Sequence, residues 1–328
     1  MLSKGKLRFN WIEVHVSTHC NIKCKNCSHQ SPYLSPRFYD LGQFSRDIRK
    51  LSEVCSVNLL WFIGGEPLLN SAIADYIKVS KDACFAKLHA VSTNGILIPK
   101  MKESFFDVVD YIFVALYPAL SKLRPKLIAY LSQQSKNHTF NFHVCNRSYF
   151  YNIETDERLS DDVAQASYDN CDRVRKGQFV EDGHFYKCMR PVSTKEYLES
   201  RDYRGDIPDF KHVDGVPIHG PDLKERIATY MASKKHLESC HFCKMGLKDD
   251  SSATAWRKAK SYFEDVNFFK NIVYRHRRIL WACHSLQAAF DKSFAKKARR
   301  NALDVGVPLE AHRLLTKGEY KSRWQAGG

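Results

Sequence analysis

Apolar and polar residues alternate in five short stretches of the first 150 residues, and four of these lead into segments where apolar residues recur every three or four positions. The alternating stretches predict strands at about 11–17, 57–63, 87–92, 110–116 and 139–145. The helical period predicts helices at about 43–54, 70–83, 99–107 and 120–135. Repeated strand–helix units at this spacing predict an α/β fold with a parallel sheet and right-handed crossovers. Five clear units, with room for a sixth, predict a partial (β/α)5–6 barrel rather than a closed eight-stranded one. In the first strand Ile12, Val14 and Val16 share one face, and Glu13, His15 and Ser17 the other. In the fifth, Phe140, Phe142 and Val144 oppose Asn141, His143 and Cys145. The apolar sets should meet the helices and the polar sets the barrel interior. Glu13 and His15 read as members of an internal hydrogen-bond network. His143 and Cys145, near the open end, read equally as network members or as chemical groups.

Beyond residue 165 the pattern changes. Arg175–Glu181 and His184–Cys188 read as two strands joined at Asp182-Gly183, a turn dipeptide that tolerates positive φ. The proline-bearing stretch 189–236 reads as loop, except for a helix starting near Asp222, a candidate N-cap. From Trp256 to about Arg300 an apolar stripe (Phe269, Ile272, Val273, Leu280, Cys283, Leu286, Phe290, Phe294) predicts helix. The expected organisation is a barrel over 1–165, a small hairpin and helix domain over 166–255, and a basic helical region over 256–328.

The chain has 11 cysteines in 328 residues, and three form Cys20-x3-Cys24-x2-Cys27. Three thiolates this close can hold three irons of a [4Fe–4S] cubane, leaving the fourth iron open to a small molecule. The rival is zinc, with His19 or His29 completing the ligands. Strand-like Val57–Ile63 runs into Gly64-Gly65-Glu66-Pro67, and Leu88–Val91 into Ser92-Thr93-Asn94-Gly95. Both follow strands at the end where α/β barrels place ligands, and paired glycines let backbone approach a ligand closely. A second cysteine set, Cys171, Cys188, Cys240 and Cys243, places one thiol at the hairpin's end and two in a distant Cys-x2-Cys. Four thiolates there suit an iron–sulfur cluster or a structural zinc.

The triplet, followed in order by the Gly-Gly-Glu-Pro and Ser-Thr-Asn stretches, resembles the radical S-adenosylmethionine (SAM) superfamily. The resemblance implies that Cys20, Cys24 and Cys27 hold the SAM-cleaving [4Fe–4S] cluster. Gly64, Gly65, Glu66 and Pro67 would contact the SAM amino group, and Ser92, Thr93 and Asn94 its ribose and carboxylate. Many members carry an aromatic residue before the third cysteine, where this chain has Asn26. The second set resembles the twitch appendage, a shortened relative of the SPASM domain, which implies one auxiliary [4Fe–4S] cluster. In related twitch enzymes that cluster is suited to accept an electron from a substrate radical. The implied reaction is oxidation of a small polar substrate of sugar or aminocyclitol type. The alternatives are epimerisation with Cys145 as hydrogen donor, and modification of a peptide or carrier-bound substrate.

Composition narrows the setting. No apolar run of about 18 residues exists, so no membrane partner is expected. The cysteine count and a start without a signal-peptide core predict a reducing cytoplasm and metal ligation over disulfides. The formal charge of +15 is uneven, with 16 Lys and Arg against 6 Asp and Glu in 257–328. That region reads as a solvated helical face or as a docking surface for an acidic partner, such as a flavodoxin- or ferredoxin-type electron donor. Nucleic-acid binding would leave the two strand-end motifs unexplained. Cys55, Cys84 and Cys283 read as small buried hydrophobes.

Overall fold

The computed structural model describes residues 5–24, 26–146, 153–247 and 261–262. The apolar stripe from Phe269, with Cys283, lies outside the described residues. Strands β1 (Leu7–Ser17), β2 (Cys55–Gly64), β3 (Ala86–Thr93), β4 (Tyr111–Leu116) and β5 (Asn141–Asn146) are parallel, in the order β5-β4-β3-β2-β1. Helices α1 (Leu41–Val54), α2 (Ile73–Asp82), α3 (Glu103–Val108) and α4 (Arg124–Gln134) supply the crossovers. The α/β architecture with a parallel sheet is as the pattern predicts.

Prolines set the differences in helix bounds. The segment expected as one helix over 99–107 is a 3-10 turn, Ile98–Lys100, followed by α3. The segment over 120–135 begins as the 3-10 turn Pro118–Leu123, and the α-helix starts with Pro125 in its first turn. Proline fits that first turn, where its missing N–H costs nothing, but not a helix interior.

The apolar face of β1 forms the core as expected. Ile12, Val14 and Val16 are buried with Phe44, Ile48 and Leu51 of α1 and Leu60 and Phe62 of β2. Asp40 caps α1 by accepting from the Gln43 N–H at 2.7 Å. Cys55 is buried, whereas Cys84 is exposed at φ 51° beyond the end of α2, contrary to the expectation that it packs.

The hairpin after the barrel joins the same sheet. After α5 (Asp161–Asp169) comes α6 (Arg173–Lys176), which takes residues expected in the first hairpin strand. Then β6 (Gln178–Glu181) pairs parallel with β1 and antiparallel with β7 (His184–Tyr186). Asp182 and Gly183 have φ of 47° and 76°, the two positive values this turn needs. The buried Asp47 of α1 accepts from the Gly183 N–H at 2.9 Å, from Gln43 Nε2 at 2.6 Å and from the Tyr39 hydroxyl. One carboxylate thereby fastens the hairpin turn to the barrel.

Where 189–236 is expected to be loop it contains α7 (Thr194–Glu199), α8 (Phe210–Asp214) and β8 (Gly215–Pro217), and the helix expected near Asp222 is present as α9 (Leu223–Ala232). Strand β8 adds antiparallel to β7. Tyr197, Leu198, Phe210 and Phe242 pack as a separate apolar cluster. These elements are too short for periodicity to reveal, and tertiary packing holds them. Asp222 does occupy the N-cap of α9, but at φ 53° its side chain makes no capping hydrogen bond. Among the described residues no helix is long and apolar enough to cross a membrane.

Candidate functional site

The three cysteines of the triplet lie on a loop that leaves β1 and returns beside it. Thr18 pins the base: its hydroxyl donates to Ser35 O at 2.7 Å and accepts from the Arg37 N–H at 3.0 Å. The Gly64-Gly65 pair fixes the loop against the end of β2. The Gly65 and Glu66 amides donate to Ser17 O and His19 O, each at 2.9 Å. A Cβ at Gly64 would lie 2.0 Å from Ser17 O, and one at Gly65 2.1 Å from His19 O. The glycines therefore admit the cysteine loop's own backbone, a role that their spacing alone does not reveal.

Cys20, Cys24 and Cys27 line one cavity of about 540 Å³, counted to its mouth, with His29, Gly64, Gly65, Ser92, Thr93, Asn94 and Tyr117. The structure thus brings the triplet together with the glycine pair and the Ser-Thr-Asn stretch. Asn94 Nδ2 donates to Asn21 Oδ1 at 2.7 Å and faces Cys20 Sγ at 3.7 Å. Asn26 adopts φ 57°, a left-handed conformation that asparagine tolerates better than most residues.

Glu66 and Pro67 are not among the residues lining this cavity. The Glu66 carboxylate is buried and accepts from Thr93 Oγ1 at 2.7 Å, Asn94 N at 2.8 Å and Leu68 N at 3.1 Å. It ties the end of β2 to the end of β3 and so positions Asn94. Burial pushes its carboxyl up to about 7, although these three donors favour the ionised form.

Burial likewise pushes the Cys20 thiol up to about 12, with Glu66 and Cys27 adding and the Ile22 amide opposing. Cys24 and Cys27 are also raised, first by burial. Burial thus favours the protonated thiols, and a metal or an iron–sulfur cluster binding here would displace those protons. Of the two histidines considered as further ligands, His29 lines the cavity. His19 packs on Phe38 with centroids 5.0 Å apart.

The second set also assembles. Cys171 follows α5, Cys188 follows β7, and Cys240 and Cys243 belong to the 3-10 turn Glu238–Phe242 and its cap. All four line one cavity of about 620 Å³, counted to its mouth, together with Glu13, His29, Arg173 and Arg190. Burial raises Cys188, Cys240 and Cys243, and the neighbouring thiols add to the shift. Buried cations accompany them. Arg190 pairs with Glu154 at 3.0 Å, while its Nη1 atom is buried with no hydrogen-bond partner among the described residues. Lys187 donates to Tyr168 Oη at 2.7 Å and Ser233 O at 2.6 Å, and burial lowers its pKa. Four thiolates bound to a metal group carry net negative charge, and Arg190 and Lys187 are placed to offset it. Four thiols fit the expected cluster or a zinc by residue type, but among the described residues their sulfurs are not gathered within reach of one single ion.

The polar face of β1 lies between these features. Glu13 accepts from Arg173 at 2.8 Å, and His15 Nε2 is 3.1 Å from His29 Nδ1. On its other side His15 faces Glu181 at 3.2 Å, and Arg37 bonds the same carboxylate at 3.1 Å. The network expected around Glu13 and His15 is present. Its partners Arg173 and Glu181 are remote in the chain, and no local pattern could have chosen them. His29 is among the residues lining both cavities. His143 and Cys145 are among the lining residues of neither cavity. The His143 ring stacks on Phe113 at 5.5 Å.

No family model matches the sequence. Among curated proteins, the chain is 24% identical over 98 residues to the GTP 3′,8-cyclase of Chlorobaculum tepidum, covering 30% of this chain and 29% of that protein. It is 30% identical over 107 residues to the GTP 3′,8-cyclase of Clostridium acetobutylicum, covering 31% and 33%. It is 26% identical over 106 residues to a 7,8-dihydro-6-hydroxymethylpterin dimethyltransferase of Methanocaldococcus jannaschii, covering 29% and 20%. The matched region thus spans a third or less of these relatives. Among solved structures, BtrN in complex with AdoMet and 2-DOIA aligns over 72% of this chain and 85% of its own, with 16% identity and a TM-score of 0.43. Streptococcus suis SuiB bound to S-adenosylmethionine aligns over 42% and 32%, with 16% identity and a TM-score of 0.31.

Proposed function

We propose that this chain oxidises a small polar substrate by radical SAM chemistry, with an auxiliary cluster as electron acceptor. Cys20, Cys24 and Cys27 would hold the SAM-cleaving cluster, and Cys171, Cys188, Cys240 and Cys243 the auxiliary one. When bound, SAM and the two clusters supply a hydrogen-abstracting radical and the electron transfers. The chain's own residues do the rest. Gly64 and Gly65 set the cysteine loop on β2, and Glu66 holds the Asn94 backbone beside it. Asn94 presents its amide to Cys20 and Asn21, and Arg190 and Lys187 offset charge at the second cysteine set. Glu13 and Arg173 offer an acceptor and a donor to the hydroxyl or amino groups of a polar substrate.

The observation that carries this reading is that one residue, His29, lines both cysteine cavities. A substrate beside His29 would face the triplet on one side and the four-cysteine set on the other. Epimerisation through Cys145 has less support, because Cys145 lines neither cavity.

The test is anaerobic reconstitution followed by incubation with SAM, reductant and a panel of sugars and aminocyclitols. The reading expects 5′-deoxyadenosine and a product two hydrogens lighter than substrate. Turnover of a peptide panel with none of the small molecules would replace the substrate class. A product of unchanged mass would replace oxidation with epimerisation.

A further inference from the structure

We propose that Asp161, His236 and His241 form a divalent-metal site, separate from both cysteine sets, whose donors select zinc. His236 Nε2 lies 3.2 Å from His241 Nε2, and Asp161 Oδ1 lies 3.5 Å from the same His241 atom. Each of the three residues offers a ligand atom within 4.8 Å of the others. Two nitrogens bound at about 2.0–2.1 Å to one tetrahedral zinc stand about 3.3–3.4 Å apart. The observed separations are those of a ligand set around one ion.

The surrounding hydrogen bonds decide where the ring protons are. His241 Nδ1 is 2.7 Å from Leu159 O, a carbonyl that can only accept, so the proton is on Nδ1. His236 Nδ1 is 3.1 Å from Gln165 Oε1. That amide is oriented by its other end: Gln165 Nε2 donates to Asp169 Oδ1 at 3.0 Å and to Lys234 O at 2.9 Å. Its oxygen therefore faces His236, accepting from both the ring and the His236 N–H at 3.1 Å. With both rings neutral, both Nε2 atoms then point lone pairs at each other with a carboxylate beside them. Two lone pairs at this distance repel unless a cation lies between them. Metal-bound histidines characteristically donate their second ring nitrogen to a carbonyl, as both do here.

His241 is almost fully buried, so its Nε2 is held in place, while the Asp161 side chain is 85% exposed and leaves a side open to water. Glu238 Oε2, at 3.8 Å from His241 Nε2, is a further donor within reach. Two imidazoles and a carboxylate suit zinc over magnesium or calcium, which take oxygen ligands. An ion here would join the start of α5, which leads into Cys171, to the turn carrying Cys240 and Cys243. The inference does not depend on what those cysteines bind.

The test uses the full-length protein, reconstituted with iron and sulfide under anaerobic conditions and then given zinc. Iron and zinc are counted per chain, and cobalt(II) serves as the spectroscopic probe. Wild type should retain one zinc after desalting, and cobalt should give visible d–d absorption without thiolate charge transfer. His236→Ala should lose that zinc with its iron content unchanged, and Asp161→Asn should weaken zinc binding at least about tenfold. If His236→Ala also loses iron, the exposed Asp161→Asn variant carries the test. Wild type without retained zinc would overturn the proposal, with the histidine pair sharing a proton instead. Equal zinc in wild type and His236→Ala, or unchanged zinc affinity in Asp161→Asn, would overturn it as well.

Discussion

The two cysteine sites solve the same electrostatic problem in opposite ways. The four-cysteine set has its own counter-charge, with Arg190 in the cavity wall and Lys187 buried behind it. Among the described residues, the triplet cavity has no lysine or arginine in its lining and is walled by glycines, small polar side chains and apolar groups. A site that supplies its own cations suits a resident group held by all its ligands. A site with three thiols and no fixed cation in its described wall suits a group completed by an incoming molecule, and the sulfonium of SAM is a cation. The difference teaches that ligand count alone does not separate a structural site from a reactive one, whereas the charge around the ligands does.

Changing Cys20, Cys24 and Cys27 together to Ala is the largest break in this comparison. The expected outcome is complete loss of 5′-deoxyadenosine formation and of half the iron, with the four-cysteine set still loaded. Iron analysis and EPR on the anaerobic protein check it. A variant without iron but with zinc held by thiolates, seen as thiolate charge transfer when cobalt replaces it, would make the second set structural.

Removing the counter-charge comes next. Arg190→Met leaves Glu154 buried without its partner, and breaking a buried pair costs about 3–5 kcal/mol. Glu154→Gln in the same chain should recover part of that loss, read by denaturant unfolding of the reconstituted protein. The described lining of the triplet cavity holds no comparable cation to remove, and that asymmetry is the point of the experiment.

The attachment between the two regions ranks third. Asp47→Ala strands the Gly183 N–H and the Tyr39 hydroxyl, at about 1–3 kcal/mol each, so a loss of about 4 kcal/mol in unfolding free energy is expected from denaturant titration. Asp47 also shows where sequence reading stops. The five parallel strands, the Asp182-Gly183 turn and both cysteine sets are legible, because period, turn chemistry and spacing are local. That the hairpin adds to β1 is not, since the four residues of β6 carry no information about which sheet they join. The partners of Glu13, His15 and Asp47 include residues more than 100 positions away along the chain. The glycine pair at 64 and 65 reads as admitting a ligand, yet the nearest atoms to a Cβ there are backbone atoms of the cysteine loop. Local signals identify the ligands, and long-range packing decides what surrounds them.

The smallest expected effect sharpens the comparison at the level of single carboxylates. Glu66, beside the triplet, and Glu181, beside His15 and Arg37, are both buried. Burial raises both, but for Glu181 the His15 hydrogen bond and the charges of His15 and Arg37 hold the pKa below the ordinary value. Glu66 has only neutral donors, and burial pushes it from 4.5 up to about 7. Folded protein therefore keeps the Glu66 proton over a range where the unfolded chain has released it. This contribution is fully present below about pH 4.5 and is lost as pH rises through about 7. At about 1.36 kcal/mol per unit, the span amounts to at most about 3 kcal/mol. Glu66→Gln removes the titration and leaves one acceptor oxygen in place of two, a loss that does not change with pH, so its stability relative to wild type should improve by up to that amount between about pH 5 and pH 8. The difference in thermal midpoint between the two proteins, followed across that range, checks it. A constant difference would mean that Glu66 keeps one protonation state across that range.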